Sequence, residues 1–233
     1  MSDFHDPIGK AILDYTKQNR DDNIIVKSEL CDDDIIPVSY LFRSFEMFPE
    51  IEKVALDNCF GKVLDVGAGA GIHTRELLKR GFDVKAIDTS AGSIRYLLRN
   101  ELNAEQISFF ELKNETYDTI LILMNGIGIA GKLSCLTPFL QKCRELLKPG
   151  GKVICDSTDI KYLYENEDGS LWIDIASEYY GDFKYQMSYK NHVTPWFNWL
   201  YLDAEKFKNT AIKEGFKFKI LIQEGDHFLV ELS

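Results

Sequence analysis

This chain of 233 residues is poor in the features that mark a special environment. It has only 6 prolines and no internal repeat or low-complexity tract. Its 5 cysteines (Cys31, Cys59, Cys135, Cys143 and Cys155) are scattered, odd in number and without a CxxC pair. That argues against a disulfide framework or a zinc knuckle, and for a reducing compartment. Long apolar runs are missing: residues 120–124 are among the longest and fall far short of a bilayer span. The start, Met1-Ser2-Asp3-Phe4-His5-Asp6, lacks the basic residues and apolar stretch of a signal peptide. Basic charge is in the minority, with 27 Lys+Arg against 37 Asp+Glu and a formal net charge of −10. Such a balance opposes general affinity for phosphate backbones or anionic lipid surfaces. These absences lead to an expectation of a soluble, cytoplasmic protein with neither nucleic acid nor membrane as partner. What is present is ordinary core material: 45% hydrophobic and 12% aromatic residues, enough for apolar burial to offset ordering entropy. The length suits one domain, or one domain with a small appendage.

Two regimes are visible along the chain. Residues 6–18 carry Ile8, Ala11, Ile12 and Tyr15 at helical spacing behind an Asp6-Pro7 start, and Pro49 opens a second helix with Ile51, Val54 and Ala55 on its buried face. An acidic loop (Cys31-Asp32-Asp33-Asp34) and an aromatic-rich stretch, 38–48, lie between them. Residues 1–60 are too short to build much core of their own and are read as a helical cap on the same domain. From 62 onward short apolar strands alternate with helices: strands at 63–66, 84–88, 101–106, 119–124 and 152–155, helices at 74–80, 93–99 and 136–147. Alternation of this kind implies parallel strands with crossover helices, a doubly wound α/β sheet. Residues 217–223 and 227–232 flank the turn Glu224-Gly225-Asp226 and read as a closing β-hairpin, which makes one strand of a seven-stranded sheet antiparallel. Within the main domain, 61–233, an aromatic segment at about 179–202 alternates as two further strands, a small accessory insert.

The most informative segment is Val63-Leu64-Asp65-Val66-Gly67-Ala68-Gly69-Ala70-Gly71-Ile72-His73-Thr74, an apolar strand entering a turn of three alternating glycines and then a helix. Glycine is needed where the backbone takes positive φ or lets a ligand touch the main chain, and the helix start offers unpaired N–H groups. This architecture binds a nucleotide-like ligand at the carboxyl ends of the strands. Asp88, 21 residues beyond Gly67, ends the second strand, where a carboxylate can accept bonds from both ribose hydroxyls. The dinucleotide fingerprint GxGxxG is not met, because Gly71 comes one place early and Ile72 holds the fingerprint position. Asp65, two residues before the first glycine, suits a ligand with a cationic amine better than a diphosphate.

Asp65-Val66-Gly67-Ala68-Gly69-Ala70-Gly71 resembles the first motif of the class I S-adenosylmethionine-dependent methyltransferases. The likeness extends to Asp88 as the ribose-binding acid, to the turn Leu146-Leu147-Lys148-Pro149-Gly150-Gly151-Lys152, and to the closing hairpin; residues 1–60 and the aromatic insert lie outside it. The resemblance implies S-adenosylmethionine as cofactor, with the backbone of Gly67, Ala68, Gly69 and Gly71 along its methionine part and Asp65 at its amino group. Asp88 and Thr89 would take the ribose. Glu105 would lie near the adenine, with Glu111 as the alternative.

The segment Met124-Asn125-Gly126-Ile127-Gly128 follows the fourth strand, beside the transferred methyl group in that family. It lacks the Asn/Asp-Pro-Pro-aromatic motif of members that methylate base or glutamine nitrogens. Asn125 either orients substrate or cofactor, or is a turn residue tolerating unusual φ. Asp156, Ser157 and Asp159 follow the fifth strand, where acids can act as base, bind an amine or hold a metal, or cap a helix. Asn125, Asp156 and His192 are the candidate catalytic groups, His73 reads as structural, and no residue is assigned to a metal. Tyr40, Phe42, Tyr162, Trp196, Phe197 and Trp199 could line a pocket for a cationic group or simply bury the cap. Arg43 could pair with an acidic substrate or with a structural carboxylate.

Methyl transfer to a small-molecule acceptor, mainly by positioning and desolvation, is the expected activity. Two other readings stand beside it. A nicotinamide-dependent oxidoreductase is opposed by Asp65 and the terminal hairpin, and a non-catalytic module would retain the cofactor site without turnover.

Overall fold

The computed structural model describes residues 5–18, 21–165, 168 and 179–233; the first four residues of the N-terminal stretch read above lie outside these. In chain order the elements are α1 (Pro7–Gln18), β1 (Asn23–Ser28), β2 (Asp34–Pro37), α2 (Glu50–Asp57), β3 (Lys62–Val66), α3 (Ile72–Lys79), β4 (Asp83–Asp88), α4 (Ala91–Arg99), β5 (Ala104–Gln106) and β6 (Tyr117–Ile122). There follow α5 (Leu136–Leu146), β7 (Leu147–Thr158), β8 (Asp182–Tyr189), β9 (His192–Val193), β10 (Phe197–Leu200), α6 (Ala204–Lys213), β11 (Phe218–Glu224) and β12 (His227–Leu232).

The main sheet has seven strands in the order β11-β12-β7-β6-β3-β4-β5. The five strands β7, β6, β3, β4 and β5 run parallel, while β12 is antiparallel to both β7 and β11. This is the doubly wound sheet with a terminal antiparallel hairpin that the alternation implied. Neighbouring residues on each central strand belong to different apolar clusters. Leu64, Ile120 and Val153 join α5 and α6 in one, whereas Val63, Leu121 and Ile154 join α2 and α3 in the other. Side chains alternate across a strand, so the sheet is covered on both faces, as a parallel sheet must be. α2, from the first sixty residues, supplies Ile51, Ala55 and Leu56 to the second cluster.

A second sheet, β10-β8-β1-β2 with β9 on β8, joins the two segments that lie outside the methyltransferase-like core. β1 is central: it pairs antiparallel with β2 (Ile25 opposite Ile35) and with β8 (Ile25 opposite Ser188). The aromatic insert gives strands as expected. The strands of the leader were not foreseen: β1 pairs with its neighbour β2 and also with β8, far along the chain. α1 packs beneath this sheet through Ala11, with Ile24 and Tyr189, in a third, small core. Its crossing with α4 is glycine on glycine: a Cβ on Gly92 would stand 2.5 Å from the Gly9 Cα. Among the described residues no helix is long and apolar enough to cross a membrane.

Candidate functional site

β3 delivers the chain into the glycine turn, where Gly67, Gly69 and Gly71 have φ of +73, +54 and +75°. L side chains rarely adopt such angles. The three glycines have different surroundings. A Cβ on Gly67 would meet nothing within 4 Å, and one on Gly69 only the Gly67 carbonyl at 4.0 Å. A Cβ on Gly71 would strike Leu97 Cδ2 at 2.5 Å. Gly67 and Gly69 therefore form an open cradle where a ligand can reach the main chain. Gly71, expected with them, is instead buried against α4 and serves helix packing. The N–H groups of Gly67 and Ala68 both donate to the Ile87 carbonyl (2.9 and 3.1 Å), which fastens the turn to the end of β4.

Asp88 ends β4 half-buried and accepts from Gly69 N (2.8 Å) and Ser90 N (2.8 Å). Burial pushes its carboxyl pKa up, those two N–H bonds oppose the shift, and the nearby charge of Asp6 adds to it. Each oxygen of Asp88 keeps acceptor capacity beyond its one backbone bond. Asp6 serves two helices: it accepts from Gly9 N (2.9 Å) at the start of α1 and from Gly92 N (2.8 Å) at the start of α4. The leader thus reaches the edge of the cradle. Asp65 is only 3% exposed, within the core, where the Thr74 hydroxyl donates to it at 2.5 Å. Burial raises its pKa against the charge of His73 and the Thr74 bond, and its visible role is to tie β3 to α3.

Glu105 does not join this group. It pairs with Lys85 Nζ at 2.7 Å, and Lys85 is also bound by Glu115. Glu105 and Gln106 alternate across β5, and it is Gln106 whose side chain reaches the Asp88 side, donating to the Thr89 carbonyl at 3.2 Å. Gln106 is a residue that sequence reasoning missed; the signal was its place as the last residue of the strand. Glu111 is exposed in the following turn, its N–H bonded to the Ser108 carbonyl. Thr89 is exposed beside Asp88.

Beyond β6 the chain makes a strained turn. Met124 and Asn125 both have positive φ (65 and 55°), uncommon for residues other than glycine. Asp156, 1% exposed at the end of β7, holds it by accepting from Asn125 N (3.0 Å) and Gly126 N (3.2 Å). His227 Nε2 lies 2.8 Å from the same carboxylate. Three partners leave Asp156 a positioning role rather than that of a base. His227, also missed, begins the antiparallel β12 and therefore stands at the carboxyl edge of the parallel strands, opposite Thr158. Of the two readings weighed for Asn125 the structure shows the turn residue, and its Oδ1 accepts from Thr158 Oγ1 at 2.8 Å.

Asn125 and Met124 also form the inner wall of a cavity of about 630 Å³. Its roof is one face of the second sheet, presented as alternate residues: Val26 and Ser28 of β1, Tyr185 and Met187 of β8, and Trp199 of β10 with Tyr201 just beyond it. Tyr162 completes the aromatic wall, and the turn Asp32-Asp33-Asp34 lies on the leader side. Of the six aromatic candidates, Tyr162 and Trp199 line this cavity; Phe42 stacks on Tyr15 (4.6 Å), and Tyr40 carries the Arg43 guanidinium at 3.9 Å. Trp199 lies directly on the Gly128 backbone, where a Cβ would come within 2.0 Å of its ring. His192 sits in β9, where the His5 ring bonds to the neighbouring Val193 carbonyl, and is not among the cavity's walls. The Ser157 hydroxyl accepts from Leu202 N (2.8 Å) and donates to the Leu202 carbonyl (3.1 Å), and Asp159 accepts from Lys161 N at the start of a 3-10 turn.

Arg43 pairs with a structural carboxylate. It is 5% exposed and bound to Glu52, whose other oxygen lies 2.8 Å from His73 Nε2. Against the penalty of burial, the bond from His73 and the charges of His73 and Arg43 hold the Glu52 carboxyl below its usual pKa. Among the described residues no group of three or more His, Cys, Asp or Glu is placed to hold a metal.

Residues 63–151 match a family model described as a methyltransferase domain. Over its whole length the chain is 39% identical to a SAM-dependent methyltransferase from Bacteroides fragilis solved with S-adenosyl-L-homocysteine, covering 96% of that chain with a TM-score of 0.92. A structure from Pyrococcus horikoshii OT3, 21% identical with a TM-score of 0.57 over 78% of this chain and 88% of that one, shares the fold. The ubiquinone biosynthesis O-methyltransferase of Acinetobacter baumannii (strain AYE) is 30% identical over 128 residues, 51% of this chain and 50% of that protein. The chain spans about half the length, or less, of the curated relatives it matches.

Proposed function

This chain belongs to the class I S-adenosylmethionine-dependent methyltransferases, and we propose that it methylates a small molecule taken into the cavity under the second sheet. The observation that carries this reading is the order of the sheet: β3, which leads into the cradle of Gly67 and Gly69, pairs with β6, and the loop after β6 brings Met124 and Asn125 into the wall of the cavity beside β1, β8 and β10.

The residues present fit the cofactor. Open main chain at Gly67 and Gly69 accommodates its amino-acid part, and Asp88 retains lone pairs for the ribose hydroxyls. Gln106, by its place next to Asp88 and Thr89, takes the adenine-side position expected of Glu105. Bound S-adenosylmethionine supplies a methyl carbon made electrophilic by its sulfonium. The chain contributes placement and dryness: Asp156 fixes the N–H groups of Asn125 and Gly126, and the aromatic roof excludes water from the acceptor. Residues 1–60 act as part of the same domain, since α2 fills the sheet's core and β2 walls the cavity. A net charge of −10 supports a small-molecule partner over nucleic acid.

Calorimetric titration with S-adenosylmethionine and S-adenosylhomocysteine tests the cofactor half. Micromolar binding by the wild type should weaken by about 1–3 kcal/mol in Asp88→Ala, as for loss of bonds to a charged group. No binding by the wild type overturns the assignment. Label transfer from methyl-tritiated S-adenosylmethionine to small acceptors then separates an enzyme from a binding module.

A further inference from the structure

We infer that the methyl acceptor is an amine, bound as an ammonium at the mouth of the cavity and methylated at nitrogen under the aromatic roof. The inference rests on the methyl-transfer reading and concerns what the acceptor half of that site selects.

Among the described residues the walls of the cavity include three carboxylates, Asp32, Asp33 and Asp34, and neither lysine, arginine nor histidine. Lys27, outside the walls, approaches Asp33 only to 4.0 Å, and both are about half exposed. On an open surface such carboxylates would be a solvated turn. Here they border a cavity of about 630 Å³ whose other walls include Tyr162, Tyr185, Tyr201, Trp199, Met124 and Met187 beside smaller apolar and polar residues. A carboxylate or phosphate acceptor would enter against three like charges with no counter-charge to meet it. A hydroxyl acceptor needs a base held at the reacting oxygen, and the described walls offer no imidazole or lysine amine, their only carboxylates being the exposed Asp32, Asp33 and Asp34. Tyr185 and Tyr201 spend their hydroxyls on each other at 3.0 Å, and burial raises both phenols, so they remain protonated.

An amine meets none of these obstacles. Its ammonium form is drawn to the acidic mouth and tolerated by aromatic faces. Moving inward it loses water, which lowers an amine pKa and releases the free base. The proton departs through the acid-lined mouth to solvent. The nitrogen lone pair then forms the N–CH3 bond while the C–S bond breaks, its electron pair passing to sulfur; the product is an N-methylammonium beside a neutral thioether. Trp199, seated on Gly128, sets the roof height over this step.

The test uses the full chain loaded with S-adenosylhomocysteine and three probes of matched size: 2-phenylethylamine, 2-phenylethanol and phenylacetate. Ligand-observed NMR titration should show the amine binding about tenfold more tightly than the other two, a preference of the size expected from desolvated charge complementarity. The variant Asp32→Asn/Asp33→Asn, on an exposed turn, should lose that preference and keep wild-type affinity for S-adenosylhomocysteine. Equal or tighter binding of the alcohol or the acid overturns the inference, as does an amine preference that survives in the variant, or failure of all three probes to bind the loaded protein. Failure of S-adenosylhomocysteine itself to bind the wild type would overturn the methyltransferase reading instead.

Discussion

The two halves of the site are built in opposite ways. The cofactor half is local: β3, the glycine turn, α3 and β4 follow one another, and 19 residues separate Gly69 from the Asp88 carboxylate that accepts its N–H. The acceptor half is assembled from the two ends of the chain, with Ile25 of β1 opposite Ser188 of β8. Short connections close at low entropic cost, whereas a roof of distant strands depends on the whole fold being in place. On the proposed function, the local half holds a constant cofactor and the assembled half meets a variable acceptor. Polar ties join the halves beside apolar contacts such as Trp199 on Gly128: Asp6 across α1 and α4, Arg43 through Glu52 to His73, and Asp156 beneath the turn at Asn125.

The most severe way to break the comparison is to cut the buried junction. Glu52, 3% exposed, ties Arg43 of the leader to His73 at the start of α3. Glu52→Gln leaves the guanidinium buried without a countercharge, a loss of about 3–5 kcal/mol. Urea unfolding at neutral pH would measure it, and a cost under about 1 kcal/mol would show that the junction is not what couples the halves. The sign of the pH effect follows from the lowered pKa. Glu52 in the folded protein titrates below 4.5, so its stabilisation is whole above that pH and is lost as pH falls through the folded value. The wild-type acid limb should therefore be steeper below pH 4.5 than that of Glu52→Gln.

A milder change separates the halves instead of destroying both. Gly128→Ala places a methyl within 2.0 Å of the Trp199 ring, so the ring and its strand must give way. Overpacking of this kind costs about 1–3 kcal/mol. The acceptor KM should rise while S-adenosylhomocysteine affinity holds, and Gly128→Ala/Trp199→Leu should recover much of the lost stability. Equal damage to cofactor binding would mean that the roof and the cradle are one rigid body.

The same contrast explains what the sequence disclosed. The positive-φ turn of Gly67 and Gly69 and the Asp88 carboxylate bonded to it were legible because turn and spacing are written in nearby residues. Gly71 was misplaced because its constraint comes from Leu97, a contact across two helices. Glu105 was preferred to Gln106 because residue type outweighed strand phase, and a shift of one residue reverses the face. β1 and β2 were missed because the acidic loop between them was read as a break, whereas they pair with each other and β1 also with β8. His227 emerges only once the antiparallel direction of β12 brings its first residue to the ligand edge.

The smallest expected effect lies at the seam itself. Thr158 Oγ1 donates to Asn125 Oδ1 at 2.8 Å, and Thr158→Val removes that bond at nearly constant shape, for about 0.5–1.5 kcal/mol. Asn125→Gly removes the same bond from the other side, and glycine adopts the positive φ of 55° without strain. The pair separates two roles for one interaction. If the bond only orders the turn, glycine and valine variants lose similar stability and both keep kcat. If the Asn125 amide must face the transferred methyl group, both variants lower kcat with S-adenosylhomocysteine affinity unchanged, and Asn125→Gly, which lacks the amide altogether, loses more than Thr158→Val. The second pattern is expected, because Asp156 already fixes the backbone of this turn through two N–H groups and leaves the side-chain bond free to aim the amide.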